Sequence, residues 1–368
     1  MIRFLFSLIV LMHGLIHLLG FVKAFEWAPV QQITKPISKS FGLIWLSIAL
    51  LVVITATLYF FGKEYWWVIG IPAIILSQLL IIFYWQDAKF GTLANLIILF
   101  VSLPAFGKWQ FDRQVEMESQ LMLETLKEEA LPIPTQEDMA HLPAIVQSWL
   151  KRSGVTGQEI AQQVWLQQIG QMKTKPDGQW MPFEATQRFN VQQPAFVWDT
   201  KVSMGPFLYL VGRDQYYRGA GDMTIKLLSL FKVVDEGSND KINTGTMLRF
   251  LSETCWFPSA ALSPYISWTA IDSTKAKATM HYEGMSVNGT FSFSEAGDFL
   301  SFSAQRYFGG GEEATLEKWL VEAVDHKTLG GYRIPYQSKV TWQLASGDFH
   351  WLDVEVTKMK INSNSKQL

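Results

Sequence analysis

Two i,i+4 pairs carry the chemistry this sequence can offer. His13 and His17 stand in the run His13-Gly-Leu-Ile-His17, so a helix places both imidazoles on one face. That spacing can chelate a metal, build a proton relay or face a quinone, and ionisable residues inside an apolar segment are functional candidates. A metal centre needs more ligands, however, and the interiors of the surrounding apolar segments hold no other His, no Cys and no acid. Two imidazoles on one helix also cannot ligate a haem from opposite sides of its ring. The competing reading is structural: neutral His13 and His17 hydrogen-bond to neighbouring helices through Ser47, Thr55, Gln78 or Asn95, while Gly14 and Gly20 permit close approach.

The second pair is Arg249 and Glu253, followed directly by Trp256-Phe257-Pro258. A helix ending in an exposed aromatic-proline segment would wall a concave apolar site, with the charged pair fixing a polar head. The plainer alternative is an ordinary ion pair on a helix, with Trp256 and Phe257 in the core. Trp198-Asp199 and Arg213-Asp214 admit the same two readings, and Trp198 joins Arg249, Glu253, Trp256 and Phe257 as a candidate ligand contact.

Catalytic signatures are missing. The sequence has no Gly-x-Ser-x-Gly elbow, no Walker loop, no His-Glu-x-x-His and no dinucleotide fingerprint between a strand and a helix. Cys255 is the only cysteine, which excludes an internal disulfide, and its Trp-flanked position at a helix end reads as buried. His141, His281, His326 and His350 fall on separate elements. No catalytic residue, metal or cofactor is therefore expected.

The elements that must position these residues divide near residue 110. Four apolar runs, Phe4 to Val22, Gly42 to Phe61, Trp66 to Trp85 and Phe90 to Phe106, each fit the roughly 20 residues needed to cross a bilayer. Trp27, Trp45, Trp66, Trp67, Trp85 and Trp109 lie at or near their ends, as rings at the headgroup level do. Residues 1–110 carry seven Lys and Arg against three Asp and Glu, net +4, whereas the remaining 258 residues, with 24 against 30, are −6. An acidic second part without basic clusters argues against nucleic acid. Arg3, Lys63, Lys108 and Arg113 on one face balance Lys23, Lys35, Lys39 and Lys89 on the other, and the concentration of three lysines in the first loop favours a cytoplasmic position for that loop. The soluble part would then be extracytoplasmic, on a multi-pass inner-membrane protein.

The expected organisation is a transmembrane region of four helices over residues 1–109, a juxtamembrane helix and linker over 110–134, a β-rich domain over 135–362 and a disordered tail over 363–368. In the juxtamembrane helix Val115, Met117, Leu121, Leu123 and Leu126 recur among acids, and Leu131-Pro-Ile-Pro-Thr135 breaks it. Leu142 to Arg152 has the pattern of an amphipathic helix ended by Ser153-Gly154. Alternating segments follow near 162–174, 179–191, 195–204, 207–218 and 221–234, then a helix from Asn243 to Cys255 with Thr244 as its cap. Lys275 to Tyr282, Met285 to Phe293 and Phe299 to Tyr307 form a meander, and Tyr332 to Leu344 with the alternation at Leu352, Val354 and Val356 closes the domain. The fold class is thus a soluble α+β domain beside the transmembrane helices: a curved antiparallel sheet of about ten strands with a few covering helices.

Gln168-Ile-Gly-Gln-Met172, Trp180-Met-Pro-Phe183 with Ala185 and Gln187, Phe196-Val-Trp198-Asp199, Leu248-Arg-Phe-Leu-Ser-Glu253-Thr-Cys-Trp256-Phe-Pro258, Val287-Asn-Gly-Thr-Phe291 and Gly331-Tyr-Arg-Ile-Pro335 occur in that order. Over about residues 141 to 361 this series resembles a bacterial family known only as a domain of unknown function. The opening from His13 to Phe25 is similar to its membrane-anchored members. The resemblance implies no activity. In outline, the strand-rich plan is similar to the periplasmic lipoprotein carriers, whose curved sheet holds acyl chains. Membrane lipids and an apolar ligand, a lipid or lipoprotein, are accordingly the expected partners. The alternatives left open are an enzyme or redox component using the histidine pair and a scaffold subunit of a membrane complex.

Overall fold

The computed structural model describes residues 1–126, 131–309, 311 and 313–363. The expected tail from 364 onward and residues 127–130 of the expected linker lie outside the described residues. The chain forms two compact units, Met1–Phe111 and Asp112–Leu368.

The first unit contains α1 (Ile2–Ala24), α2 (Lys39–Phe60), α3 (Trp66–Phe83), the single turn α4 (Trp85–Ala88) and the start of α5 (Gly91–Leu123). Helices α1, α2, α3 and α5 are long and apolar enough to cross a membrane. On α1 the buried face holds Val10, His13, Gly14 and His17, while Leu8, Met12, Leu15 and Leu19 are exposed. The outside is as apolar as the inside, which suits a bundle solvated by lipid tails. Gly20 lies against the ring of Trp45, where a Cβ would collide with the indole, so α1 and α2 approach closely there.

The fourth span does not stop near residue 106. Helix α5 runs on without a break to Leu123, so the expected boundary at 109/110 falls inside one helix. Its last turns, Asp112 onward, belong to the second unit and dock on the sheet of that unit. Val115, Ser119 and Met122 are buried, whereas Met117 and Leu121 are exposed. The contact is largely polar. Glu118 pairs with Arg213 at 3.0 Å and Glu116 with Arg188 at 3.1 Å, and Asn190 Nδ2 donates to the Met122 carbonyl at 2.9 Å.

The second unit is built on one antiparallel sheet of thirteen strands, three more than the sequence suggests. They are β1 (Gln163–Met172), β2 (Met181–Asn190), β3 (Ala195–Ser203), β4 (Tyr209–Tyr217), β5 (Ala220–Leu227), β6 (Phe231–Glu236), β7 (Ile266–Ala270), β8 (Lys275–Tyr282), β9 (Met285–Phe293), β10 (Phe299–Phe308), β11 (Thr315–Leu329), β12 (Tyr332–Leu344) and β13 (Gly347–Ile361). The segment 221–234 is two strands: the chain reverses at Leu228 and Ser229, with φ of +52° and +61°, a reversal usually marked by Asn or Gly. Strands β7 and β11 also lie outside the alternating segments of the sequence.

Spatial order is β6-β5-β4-β3-β2-β1-β13-β12-β11-β10-β9-β8-β7. Two meanders therefore meet at β1 and β13, and β6 and β7, consecutive in sequence, lie at opposite edges. Between them the chain must cross one face of the sheet. It does so with α7 (Asp240–Glu253), which contacts β4 and β5 on one side and β9 and β10 on the other. Asn239, not Thr244, caps α7, accepting from the amides of Lys241 and Ile242 at 3.0 Å each. The expected helix α6 (Ala144–Arg152) buries Ile145, Val146, Trp149 and Leu150, and Gly154 beyond it takes the left-handed conformation at φ +84°. The Trp149 ring lies 5.4 Å from Phe293 and 5.8 Å from Phe291 in the aromatic core.

Strands β9 and β10 pair only from Phe299↔Phe293 to Ser303↔Thr290. Beyond that, β9 stays with β8 and β10 with β11, so the sheet forks. The Phe302 ring lies on Gly289 at the apex, where any Cβ would overlap it. Gly289→Val should lower stability by about 1–3 kcal/mol, the usual cost of overpacking a filled core. Thermal unfolding of the purified chain measures it, and an unchanged midpoint would mean that Phe302 can move aside.

Candidate ligand-binding site

The polar residues singled out in the sequence converge under α7. Arg249 Nε donates to Glu253 Oε1 at 2.8 Å and Nη1 to Asp214 Oδ2 at 2.6 Å, while the guanidinium lies 4.7 Å from the Trp198 ring. The other carboxylate oxygen of Glu253 accepts from Gln187 Nε2 at 2.8 Å. Gln168 Nε2 donates to Gln187 at 3.3 Å and Gln168 Oε1 accepts from Trp198 Nε1 at 2.9 Å. The circuit closes on itself, joining α7 to β1, β2, β3 and β4. Burial raises Glu253 above the ordinary carboxylate value, against the pull of Arg249 and Gln187. For Arg249 burial also opposes the charge, but Glu253 and Asp214 outweigh it and hold the guanidinium above its usual value.

Trp256 and Phe257 are not an exposed wall. Both are buried, at 6% and 0% exposure, because the chain continues from α7 through short helical turns underneath the sheet. Trp256 Nε1 donates to the Pro335 carbonyl at 3.1 Å, and Phe257 stacks 4.7 Å from Phe189. Cys255 is buried with them, and burial pushes its thiol well up, which leaves it unreactive.

In the helical unit, His13 Nε2 lies 2.9 Å from Asn95 Oδ1 and 3.3 Å from Ser77 Oγ, which is 2.8 Å from His17 Nε2. Asn95 donates to Gln78 at 3.0 Å, and Gln78 to Thr92 at 3.2 Å. The histidines thus tie α1 to α3 and α5 through Asn95, one of the expected partners, and through Ser77, which was not among them. Among the described residues no group of three His, Cys, Asp or Glu side chains could hold a metal.

Two hollows open on the second unit. The larger, about 730 Å³, lies on the face opposite α7 along β1, β2, β12 and β13, beside exposed Ile169 and Val324. Its polar side chains are partnered across strands: Gln171 donates to Asp353 and Gln337 to Glu355, each at 3.0 Å. The other, about 500 Å³, is the fork between β9 and β10. Leu248, Val287 and Ala304 form its apolar lining, Leu316 stands at its rim, and Thr244 of α7 is also reached through it. Arg306 and Lys318 line it, with no acid among the described lining residues. Arg306 escaped the sequence reading because it is a single residue on a strand. The signal was parity, since Arg306 shares the inward register of Phe302, Ala304 and Phe308 on β10.

These features define a class: apolar helices able to cross a membrane, joined in one chain to a curved antiparallel sheet wrapped over a helix. Residues 132–354 match DUF6544, a family of unknown function, and the chain belongs to that family. No curated protein matches it. Among solved structures it is similar to a DUF1329 family protein from Desulfovibrio piger at 9% identity and a TM-score of 0.33, over 60% of this chain and 93% of that one. A Vibrio parahaemolyticus domain named for outer membrane lipoprotein sorting is similar at 10% identity and a TM-score of 0.33, over 60% and 92%.

The raised Glu253 sets a sign for pH dependence. Its folded state holds the proton more tightly than the unfolded chain, so its contribution to stability is full in acid and is lost as pH rises through the raised value. Glu253→Gln keeps an acceptor for Gln187 and removes the titration. Its midpoint relative to the native chain should rise as pH climbs above the ordinary carboxylate range. Glu253→Ala, which strands Arg249 and Gln187, should cost about 3–5 kcal/mol. Thermal melts across pH measure both.

Proposed function

We propose that this protein is a membrane-anchored, non-enzymatic binding protein whose sheet domain takes an apolar ligand such as a lipid into the fork between β9 and β10. The observation that carries the reading is the fork itself. A ladder that ends early leaves a cleft of about 500 Å³ with apolar lining that reaches Leu248 on α7, within the size range of small-molecule sites. The polar ring around Arg249 and Glu253 supports the reading in a different role from the one expected. Its members bond chiefly to one another, with Asp214 Oδ1 left without a hydrogen bond, and it fixes α7 as the back wall of the cleft. Trp198 belongs to the same ring, and Trp256 and Phe257 support it from the core.

The test is lipid retention by the full chain. Lipid around the apolar helices is common to all variants, so the informative quantity is the difference between the native chain and Leu316→Trp. Leu316 is 54% exposed at the rim of the cleft, where a larger ring can fill the mouth without disturbing the core. Mass spectrometry after detergent exchange should find about one lipid fewer per chain in the variant, as a single site of this size requires. Equal loads would overturn the reading.

We also place the anchor in the inner membrane and the sheet domain on its extracytoplasmic side, on the strength of Lys23 in the last turn of α1, Lys35 in the connection and Lys39 at the start of α2. Alkaline phosphatase fused after the domain should be active and a fusion in that connection inactive. The reverse pattern would put the domain in the cytoplasm.

A further inference from the structure

Of the two arginines under α7, Arg306 is the one without an ion pair among the described residues, although Glu317 stands opposite it in the β10–β11 ladder. Arg249 has Glu253 and Asp214, and Arg213 has Glu118 and Asp222. Arg306 has no ion pair or hydrogen bond among the described residues. Its neighbours are the faces of Trp319 and Trp342, at 4.7 and 5.6 Å, and the backbone of Gly245, where an added Cβ would stand 3.5 Å from Nε. The glycine keeps α7 from covering the guanidinium. Cation–π contact replaces only part of the hydration that a largely buried guanidinium gives up. Burial pulls Arg306 down to about 10, with Asp214 and Glu253 opposing and Arg249 assisting, so it keeps its charge at neutral pH.

The position is as informative as the charge. Arg306 lines the fork beside Lys318, no Asp or Glu is among the described lining residues, and the apolar part is supplied by Leu248, Val287, Ala304 and Leu316. A guanidinium that lies over two indoles and lines a partly apolar cleft matches an amphiphile that ends in an anionic oxygen group. We infer that the fork binds an anionic amphiphile, its carboxylate or phosphate on Arg306 and its hydrocarbon chain along Leu248 and Val287. This rests on the binding function proposed above and adds the class of ligand.

Arg306→Met separates a binding role from a structural one. Replacing a buried charge by an apolar side chain of similar volume is neutral or stabilising when no partner is stranded. The variant should therefore melt at or above the native midpoint; a large loss of stability would show that the guanidinium has a structural partner and overturn the inference. Binding is read by native mass spectrometry of the full chain in detergent, offered palmitate or hexadecanol, with Leu316→Trp as the blocked reference. The native chain should prefer palmitate by roughly tenfold or more, as a charge-assisted hydrogen bond implies. Arg306→Met and Arg306→Gln should bind the two alike and keep the affinity for hexadecanol, while Arg306→Lys retains a preference for palmitate. A palmitate preference that survives Arg306→Gln overturns the inference and leaves the apolar cleft standing. If neither probe distinguishes the native chain from Leu316→Trp, the cleft is not a binding site and both readings fall.

Discussion

The structure depends on one topological constraint: the chain has to pass from one edge of a thirteen-stranded sheet to the other between β6 and β7. A crossing that long would leave backbone groups stranded over an apolar surface if it ran as loop. Helix α7 satisfies its own backbone and presents Met247, Phe250 and Leu251 to the core. The sheet curves round it, and the inner face needs no second layer.

A helix laid across a curved sheet must still be fixed in rotation, because aromatic packing alone is tolerant of sliding. Here the fixing is polar. Arg249 and Glu253 reach down from α7 to Asp214, Gln187, Gln168 and Trp198, and each bond is made to a different strand or its neighbour. Buried ion pairs add little net stability, but breaking one is costly, so such a ring selects one seating of the helix over its alternatives. The docked end of α5 applies the same device on the opposite side, where Glu116 and Glu118 meet Arg188 and Arg213.

Much of this was legible in the residues. Four spans were evident from length and apolarity, and the meander from Lys275 to Tyr307 from alternation with one wet face. The strand β11 was not, because Val324 is an extra residue in its pairing with β12 and Leu316 faces out, so alternation fails where the strand is irregular. The docking of the end of α5 on the sheet was not legible, because its exposed Met117 and Leu121 imitate a buried stripe and the acids that make its contacts look like solvated charge. For Arg249 and Glu253 the sequence supplied the pair and its spacing. Sequence could not supply Asp214, 35 residues away, which turns that pair from a hand for a ligand into part of the frame.

The two arginines under α7 show how the same side chain takes opposite roles. Arg249 sits where β4 brings the Asp214 carboxylate within reach beside Glu253 of its own helix, and its charge is spent inside the fold. Arg306 sits on the far side of the helix, where the ladder between β9 and β10 has already parted and the facing residue of α7 is Gly245. The fork removes the neighbouring strand on one side of Arg306, Glu317 of β11 stands opposite without pairing to it, and the glycine removes the side chain that could have covered the cation. Fork and cleft both follow from one packing event, the Phe302 ring on Gly289, which ends the ladder and opens the cleft at the same place. A sheet under no functional constraint would gain by closing that fork with four or five more residues of pairing and an apolar residue at 306. An open fork around a cation with no ion pair among the described residues is what the proposed anionic ligand accounts for.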